Sequence, residues 1–230
     1  MNPRVRRESP NLLWWVGALA VFVLVPVIFF LGMRLQRTRQ ARATIDRLGG
    51  IAYGRSMVPR SMSDPAFDYA LANLNPVRWV YVSRTKLTPT EEAELLTALR
   101  NLPDVTTLRL VHTPVSQDFL QQLATFPKLE ALDVGNTAVG DQELHDIVKV
   151  SRLDWLVLDR TSVTDTGMPT LLERPELVMV SLEGTAVTDA GLRELEGLPK
   201  LQRLYLAGSR VTKEAVDAFR KSHPYVRVMY

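Results

Sequence analysis

The sequence predicts an α/β solenoid in which short parallel strands alternate with helices along the chain. Three observations indicate this architecture. A motif of the form Leu-x-x-Leu-x-Leu-x-x-Thr-x-Val-Thr-Asp recurs down the C-terminal two thirds, its period is close to 24 residues, and apolar residues at helical spacing follow each copy. A unit of this length holds one strand and one helix or helical turn, which bury their apolar faces only by stacking on neighbouring units. The clearest copies begin at Leu129, Leu153 and Leu177.

Further copies of the unit begin at Val77, Val105 and Leu201, and the first of these carries about four extra residues before the next one starts. A truncated seventh copy at 226–228 supplies one last strand. We therefore expect six repeats of about 24 residues with a parallel sheet on the concave face. This period, combined with this leucine spacing, is typical of a leucine-rich-repeat solenoid.

On these motifs the chain resembles bacterial leucine-rich-repeat proteins of the kind abundant in planctomycetes, over roughly 41–230. The Val-Thr-Asp-x-Gly-Leu segment is similar to the cysteine-containing subclass, with Thr standing where that subclass has Cys. The resemblance includes the turn Leu48-Gly49-Gly50, which in that family closes an N-terminal capping segment. It implies a binding role with a mostly unknown target, and it implies no catalytic residues and no cofactor.

Within one repeat, each residue type has a structural task. In the unit from Leu177, the hydroxyl of Thr185 is expected to bond backbone groups where the strand turns, and Thr188 to cap the helix that follows. In the first unit, Thr88-Pro89-Thr90-Glu91 has the pattern of a capping box. Asp165 and Asp189 are expected to place negative charge at helix N-termini. The positions expected to face the core of the unit are Leu177, Val180, Leu182, Val187, Leu192, Leu195 and Leu198.

An apolar run precedes the repeats and predicts one transmembrane helix. Leu12–Met33 is an almost unbroken run of 22 residues, and no charged side chain lies between Glu8 and Arg34. At about 1.5 Å per residue it is long enough to cross a hydrocarbon core of about 30 Å. A cleaved signal peptide is the alternative, although its apolar stretch is usually shorter and ends at small residues. The predicted domains are a basic tail (1–11), the transmembrane helix (12–33), a juxtamembrane helix with an N-terminal cap (34–76) and the leucine-rich-repeat domain (77–230).

The positive charge belongs to the membrane flanks. Residues 1–60 hold ten Arg against Glu8 and Asp46, a local charge of +8, so residues 61–230 carry −5 of the total of +3. Three Arg precede the apolar run and five follow it before the first Gly pair, which favours a cytoplasmic repeat domain, although a long domain can be translocated whatever its charge. These arginines adjoin the bilayer without any recognition motif, so we expect no nucleic-acid partner.

The strand pattern also predicts a binding face. Residues between the inward positions must point to the opposite, concave side of the sheet. That face would hold Trp, Tyr and Arg side chains, the types that dominate interface hot spots, and an acidic strip of Asp159 and Glu183 beside them. The capping segment or neighbouring side chains could instead cover Trp79 or Trp155. The predicted partner-binding residues are Trp79, Tyr81, Arg109, Asp133, Trp155, Val157, Met179, Arg203 and Tyr205.

The same sequence offers little for catalysis or metal binding. The chain has no cysteine, and His112, His145 and His223 occupy unrelated repeat positions. Neither a zinc-type spacing nor a nucleophile with its base is recognisable, so we expect no catalytic residues, no metal and no cofactor. The leading hypothesis is a non-catalytic, single-pass membrane protein that binds an unknown protein partner through its concave face. The alternatives are a self-associating envelope scaffold and, with least support, a hydrolase built on the concave carboxylates.

Overall fold

The computed structural model describes residues 25–54, 77–84 and 86–230. In that part of the chain, short strands and helices alternate from the first repeat to the C-terminus. The strands are β1 Gly50–Tyr53, β2 Trp79–Val82, β3 Thr107–Arg109, β4 Ala131–Asp133, β5 Trp155–Val157, β6 Met179–Ser181, β7 Arg203–Tyr205 and β8 Arg227–Met229. The α-helices are α1 Val25–Arg47, α2 Pro89–Arg100, α3 Gln117–Leu123, α4 Asp141–Ile147, α5 Met168–Leu171, α6 Asp189–Glu194 and α7 Lys213–Ser222, with 3₁₀ turns at Asp165–Gly167 and Leu195–Gly197.

All eight strands form one sheet in chain order. Strands β2 to β8 are parallel to one another, and β1 pairs antiparallel with β2. Each parallel pair is joined by a helical crossover, as parallel pairing requires. The chain is therefore an α/β solenoid of repeating strand–helix units, and the predicted parallel strands and last strand are confirmed. Strand β1 is an addition, since the sequence analysis placed only a capping segment there.

The core lies between the sheet and the helices. The inward positions of the unit from Leu177 are buried, as predicted, and so are the helical positions that follow them. The helices are shorter than the apolar spacing suggests: α5 has four residues and α6 has six, each adjoining a 3₁₀ turn. The capping box at the start of α2 is confirmed, because Thr88 accepts from the backbone N–H of Glu91 and Glu91 accepts from that of Thr88.

The threonines that follow the strands form hydrogen bonds with backbone carbonyls. Thr137, Thr161 and Thr185 each donate to the carbonyl three residues before them. Thr113 donates instead to the Val82 carbonyl, one strand earlier. These contacts confirm the role predicted for Thr185 and extend it to the equivalent position of other repeats; the equivalent residue of the first repeat, Thr85, lies outside the described residues.

A second ladder joins successive repeats through the Val-Thr-Asp segments. Asp165 accepts from both the backbone N–H and the hydroxyl of Thr188, at 2.7 and 2.6 Å, and from the backbone N–H of Gly191 at 3.0 Å. Asp141 and Asp189 accept in the same way from the capping threonine of the next repeat. Burial alone would raise the pKa of Asp165, but the hydrogen bonds from Thr188 and Gly191 outweigh it and hold that pKa below its ordinary value. We call Asp141, Asp165 and Asp189 with their threonine partners the aspartate ladder.

At the N-terminal end, α1 covers the first repeat. Ala41, Ile45 and Leu48 are buried, and α1 packs on α2 and β1. The helix ends at Arg47, and Gly49, with φ of 75°, makes the turn into β1. Within residues 25–54, 77–84 and 86–230, no helix combines the length and hydrophobicity needed to cross a bilayer. Residues 12–24 of the predicted transmembrane helix, with Trp14 and Trp15, lie outside the described part of the chain.

Candidate functional site

Two rows of side chains line the concave face, and the register aligns them across the sheet. The first row follows the first position of each strand, and the second row follows the third position. Strand pairing is in step from β2 to β7, so each member lies beside its counterpart on the next strand. The first row consists of Trp79, Thr107, Ala131, Trp155, Met179 and Arg203; the second consists of Tyr81, Arg109, Asp133, Val157, Ser181 and Tyr205.

The first row contains a central cluster of Trp155, Met179 and Arg203. Met179 lies between the other two in the register, and the Arg203 guanidinium carbon is 4.6 Å from the centre of the Trp155 ring. The arginine therefore crosses over Met179, which is only 7% exposed, whereas Trp155 remains 37% exposed. The prediction that Met179 offers an exposed contact is thus wrong. Its role is to support an indole and a guanidinium held together by a cation–π contact.

In the second row, the side chain of Arg109 is held in place by its neighbours. Nε of Arg109 donates to Oδ2 of Asp133 at 2.9 Å, and its guanidinium carbon lies 5.6 Å from the Tyr81 ring centre. Asp133 is buried and also accepts from the backbone N–H of Gly135 at 3.0 Å. The sequence places Asp133 among the contact residues, but in the structure it orients Arg109. Arg109 itself stays exposed and is held in one direction.

Strand β1 extends the concave face at its N-terminal end. Tyr53 lies opposite Trp79 and Ile51 opposite Tyr81 in the antiparallel register. The Tyr53 and Trp79 rings meet edge to face with centroids 5.2 Å apart, and Ile51, Tyr53 and Trp79 are 58%, 44% and 47% exposed. The capping strand therefore covers Trp79 only in part. The sequence analysis missed Ile51 and Tyr53, although their alternation with the inward Gly50 and Ala52 is the signal of a strand.

A groove separates Trp79 from Trp155. Its floor is made by Thr107 and Ala131, whose short side chains leave a volume of about 390 Å³ between the two indoles. Glu130 and Asp154 form its rim, and burial together with the Glu130 charge raises the pKa of Asp154 above its ordinary value. The groove thus combines aromatic walls with a rim that carries two carboxylates and the guanidinium of Arg78.

In the acidic strip, the side chain of Asp159 is held by hydrogen bonds to a neighbouring strand. Asp159 accepts from the Ser181 hydroxyl and from the backbone N–H of Glu183 at 3.0 Å. Ser181 is buried. Asp159 therefore joins neighbouring strands, while Glu183 and Tyr205 line a second groove of about 390 Å³ beside it.

The histidines are scattered over the described part of the chain. His112 is exposed at φ of 58°, His223 stacks on the Phe219 ring, and His145 lies 4.0 Å from a Glu173 oxygen. In residues 25–54, 77–84 and 86–230, no group of three or more His, Asp or Glu side chains is placed to hold a metal ion.

Comparisons with known proteins find structural neighbours but no relative by sequence. No protein-family model and no curated protein sequence matches the chain. A leucine-rich-repeat protein of Leptospira interrogans is similar in structure, with a TM-score of 0.45, 15% sequence identity and coverage of 69% of this chain and 50% of that one. An internalin C2 of Listeria monocytogenes has a TM-score of 0.46, 18% identity and coverage of 68% and 72%. The match thus spans half the length of the Leptospira protein.

Proposed function

We propose that this chain is a non-catalytic, membrane-anchored leucine-rich-repeat protein that binds a protein partner through its concave face. The observation that carries the binding role is the set of exposed aromatic and arginine side chains on that face. Trp155 and Arg203 hold each other at 4.6 Å, and Arg109 is oriented by Asp133. Side chains fixed before binding lose less conformational entropy on association, and these residue types are enriched among interface hot spots.

The grooves indicate what kind of partner surface fits. The groove between Trp79 and Trp155 is lined by Glu130 and Asp154 as well as by Arg78, and its two carboxylates with the two indoles suit a Lys or Arg side chain of the partner. Arg109 in the second row on β3, and Arg203 two strands beyond Trp155, offer donors to carboxylates of the partner. A mixed-charge protein surface meets both demands better than a uniformly acidic or basic polymer.

The membrane anchor is a separate part of the proposal. It is supported by the uncharged run Leu12–Met33 and by the apolar residues at the start of α1, where Val25, Ile28 and Phe30 are each more than half exposed. Such residues are costly to leave in water. The arginine distribution favours a cytoplasmic repeat domain. We likewise propose that the repeats are related to the cysteine-containing subclass, because the Val-Thr-Asp-x-Gly-Leu segment has Thr where that subclass has Cys.

Photocrosslinking from defined positions tests the binding role. A photoreactive amino acid at Val157, in the middle of the second row, should crosslink to a partner when the full chain is expressed in its own membrane. The same group at Gln142, exposed on α4 of the convex side, is the matched control. A defined adduct from Val157 alone supports the proposal. Adducts from Gln142 alone would move the partner to the convex side, and adducts of the chain with itself from Val157 would favour the self-associating scaffold.

A further inference from the structure

The two halves of α1 have opposite surroundings. In the first half, the side chains of Val25 and Val27 through Leu31 are all at least 51% exposed, on every side of the helix. In the second half, Ala41 and Ile45 are buried against the first repeat, and so is Leu48 directly after the helix. The change occurs where the apolar run ends, because Arg34 follows directly on Met33 and donates to Oδ2 of Asp104 at 2.9 Å.

The ion pairs define how α1 is oriented on the repeats. Arg34, near its exposed half, pairs with Asp104 in the turn after α2, and Arg47, at its end, pairs with Glu94 inside α2. The two helices therefore run antiparallel. The exposed apolar half projects beyond the edge where the helix-to-strand turns lie, the edge at which β3 to β8 begin. We call this the strand-start edge.

The distance between the apolar run and the repeats is short. From Met33 to Arg34 the helix rises only about 1.5 Å, much less than the roughly 5–8 Å of each polar headgroup layer. Asp104 also accepts from Lys128 of the next turn at 2.6 Å, so the contact with Arg34 belongs to a charged cluster on this edge. If residues up to Met33 lie in hydrocarbon, Arg34, Asp104 and Lys128 lie at the depth of the headgroups.

We propose that the solenoid rests on the bilayer through its strand-start edge, with lipid headgroups as the partner of that edge. This inference rests on the proposed membrane anchor. The strands then begin at the membrane and run away from it, and the concave face looks along the membrane plane. The first row, with Trp155 and Arg203, lies nearer the lipid than the second. Arg37, exposed on α1, adds attraction to anionic headgroups.

The absence of cysteine from the sequence allows a direct test. Ser151 and Ser162 are exposed in the turns before and after β5, at opposite edges of one repeat. Ser151→Cys and Ser162→Cys, each in the full chain, would be labelled with the same small fluorophore. The labelled chains are reconstituted into vesicles of phosphatidylcholine and phosphatidylserine, in which a fraction of the lipids carries a headgroup quencher.

The label at Ser151 should be quenched several-fold more strongly than the label at Ser162. Inserting a flexible Gly-Ser spacer between Met33 and Arg34 should bring the two labels to similar quenching, because it frees the domain from the surface. Equal quenching without the spacer, or stronger quenching at Ser162, would overturn the orientation. Release of the chain from the vesicles by alkaline carbonate would overturn the anchor and the orientation together, while leaving the proposed partner binding standing.

Discussion

The two sides of each repeat use their polar residues differently. Along the aspartate ladder the same residue types recur, and Asp165 bonds the next repeat through three hydrogen bonds. On the concave rows the residue types change at every strand, and Trp155 and Arg203 bond each other instead of the backbone of a neighbour. Residues that recur from repeat to repeat hold successive repeats together. Residues that vary from strand to strand are available to contact a partner. This difference predicts how far each substitution should disturb the fold.

The largest effect is expected in the core. Leu182→Ala should lower the free energy of unfolding by about 2–5 kcal/mol, because it removes a fully buried side chain and leaves a cavity. Glu183→Ala, on the adjoining position of the opposite face, should change it by less than about 1 kcal/mol. Denaturant unfolding of the full chain in detergent compares the two. Similar midpoints would mean that the two faces of the strand are assigned the wrong way round.

The aspartate ladder comes next. Asp165→Ala should cost about 1–3 kcal/mol, because it leaves the N–H groups of Thr188 and Gly191 without their acceptor. Asp217→Ala is the control, since that carboxylate pairs with Arg220 three residues away, both side chains are about half exposed, and the pair should contribute under about 0.5 kcal/mol. The same unfolding measurement distinguishes them. Equal losses would show that the repeats do not depend on this contact.

Lowering the pH should destabilise the folded chain. The hydrogen bond from Lys149 is the main cause that lowers the pKa of Asp146, with further bonds from Gln117 and Gln121, and Asp165 is also lowered. A carboxyl whose folded pKa is depressed contributes stability above its unfolded pKa, near 3.8, and loses it as pH falls toward the folded value. The unfolding midpoint should therefore fall with pH below about 4. Asp146→Asn should flatten that dependence, and an unchanged slope would contradict the assignment.

The smallest effect on stability is expected on the concave face. Arg203→Ala should change the free energy of unfolding by less than about 1 kcal/mol, because an exposed cation–π contact is weak. It should nevertheless uncover Met179, which the arginine crosses. Oxidation of Met179 by dilute peroxide, followed by mass spectrometry, should become several-fold faster than in the native chain. Arg227→Ala, the next strand along, serves as control, and equal rates in both variants would refute this role of Arg203.

The sequence predicts most of this fold because the repeat carries its own register. Leu182, Val187 and Leu192 recur at fixed spacing, so their burial follows from one repeat applied six times. Contacts between repeats are harder to predict. The hydrogen bond that the Thr188 hydroxyl donates to Asp165 spans 23 residues. The local sequence around Asp165 indicates only a negative charge at a helix N-terminus and gives no sign of this contact.

The two rows of the concave face could be predicted from the sequence, but the exposure of their side chains could not. Alternation identifies Met179 and Asp133 as outward positions, yet both are buried by arginines on other strands. Long side chains reach across neighbouring strands, and their direction depends on tertiary contacts. Strand β1 was missed for a related reason, since its four residues lie outside the repeat and pair in the opposite sense.

One measurement tests the binding role of the concave face most directly. The native full chain, the Trp155→Ala/Tyr205→Ala variant and a convex control, Gln142→Ala/Glu194→Ala, would be compared for circular dichroism and for affinity toward the partner identified by crosslinking. The account predicts three matching spectra and an affinity reduced at least tenfold in the concave variant alone, about 1.4 kcal/mol. Matching spectra with unchanged affinity in the concave variant would contradict it.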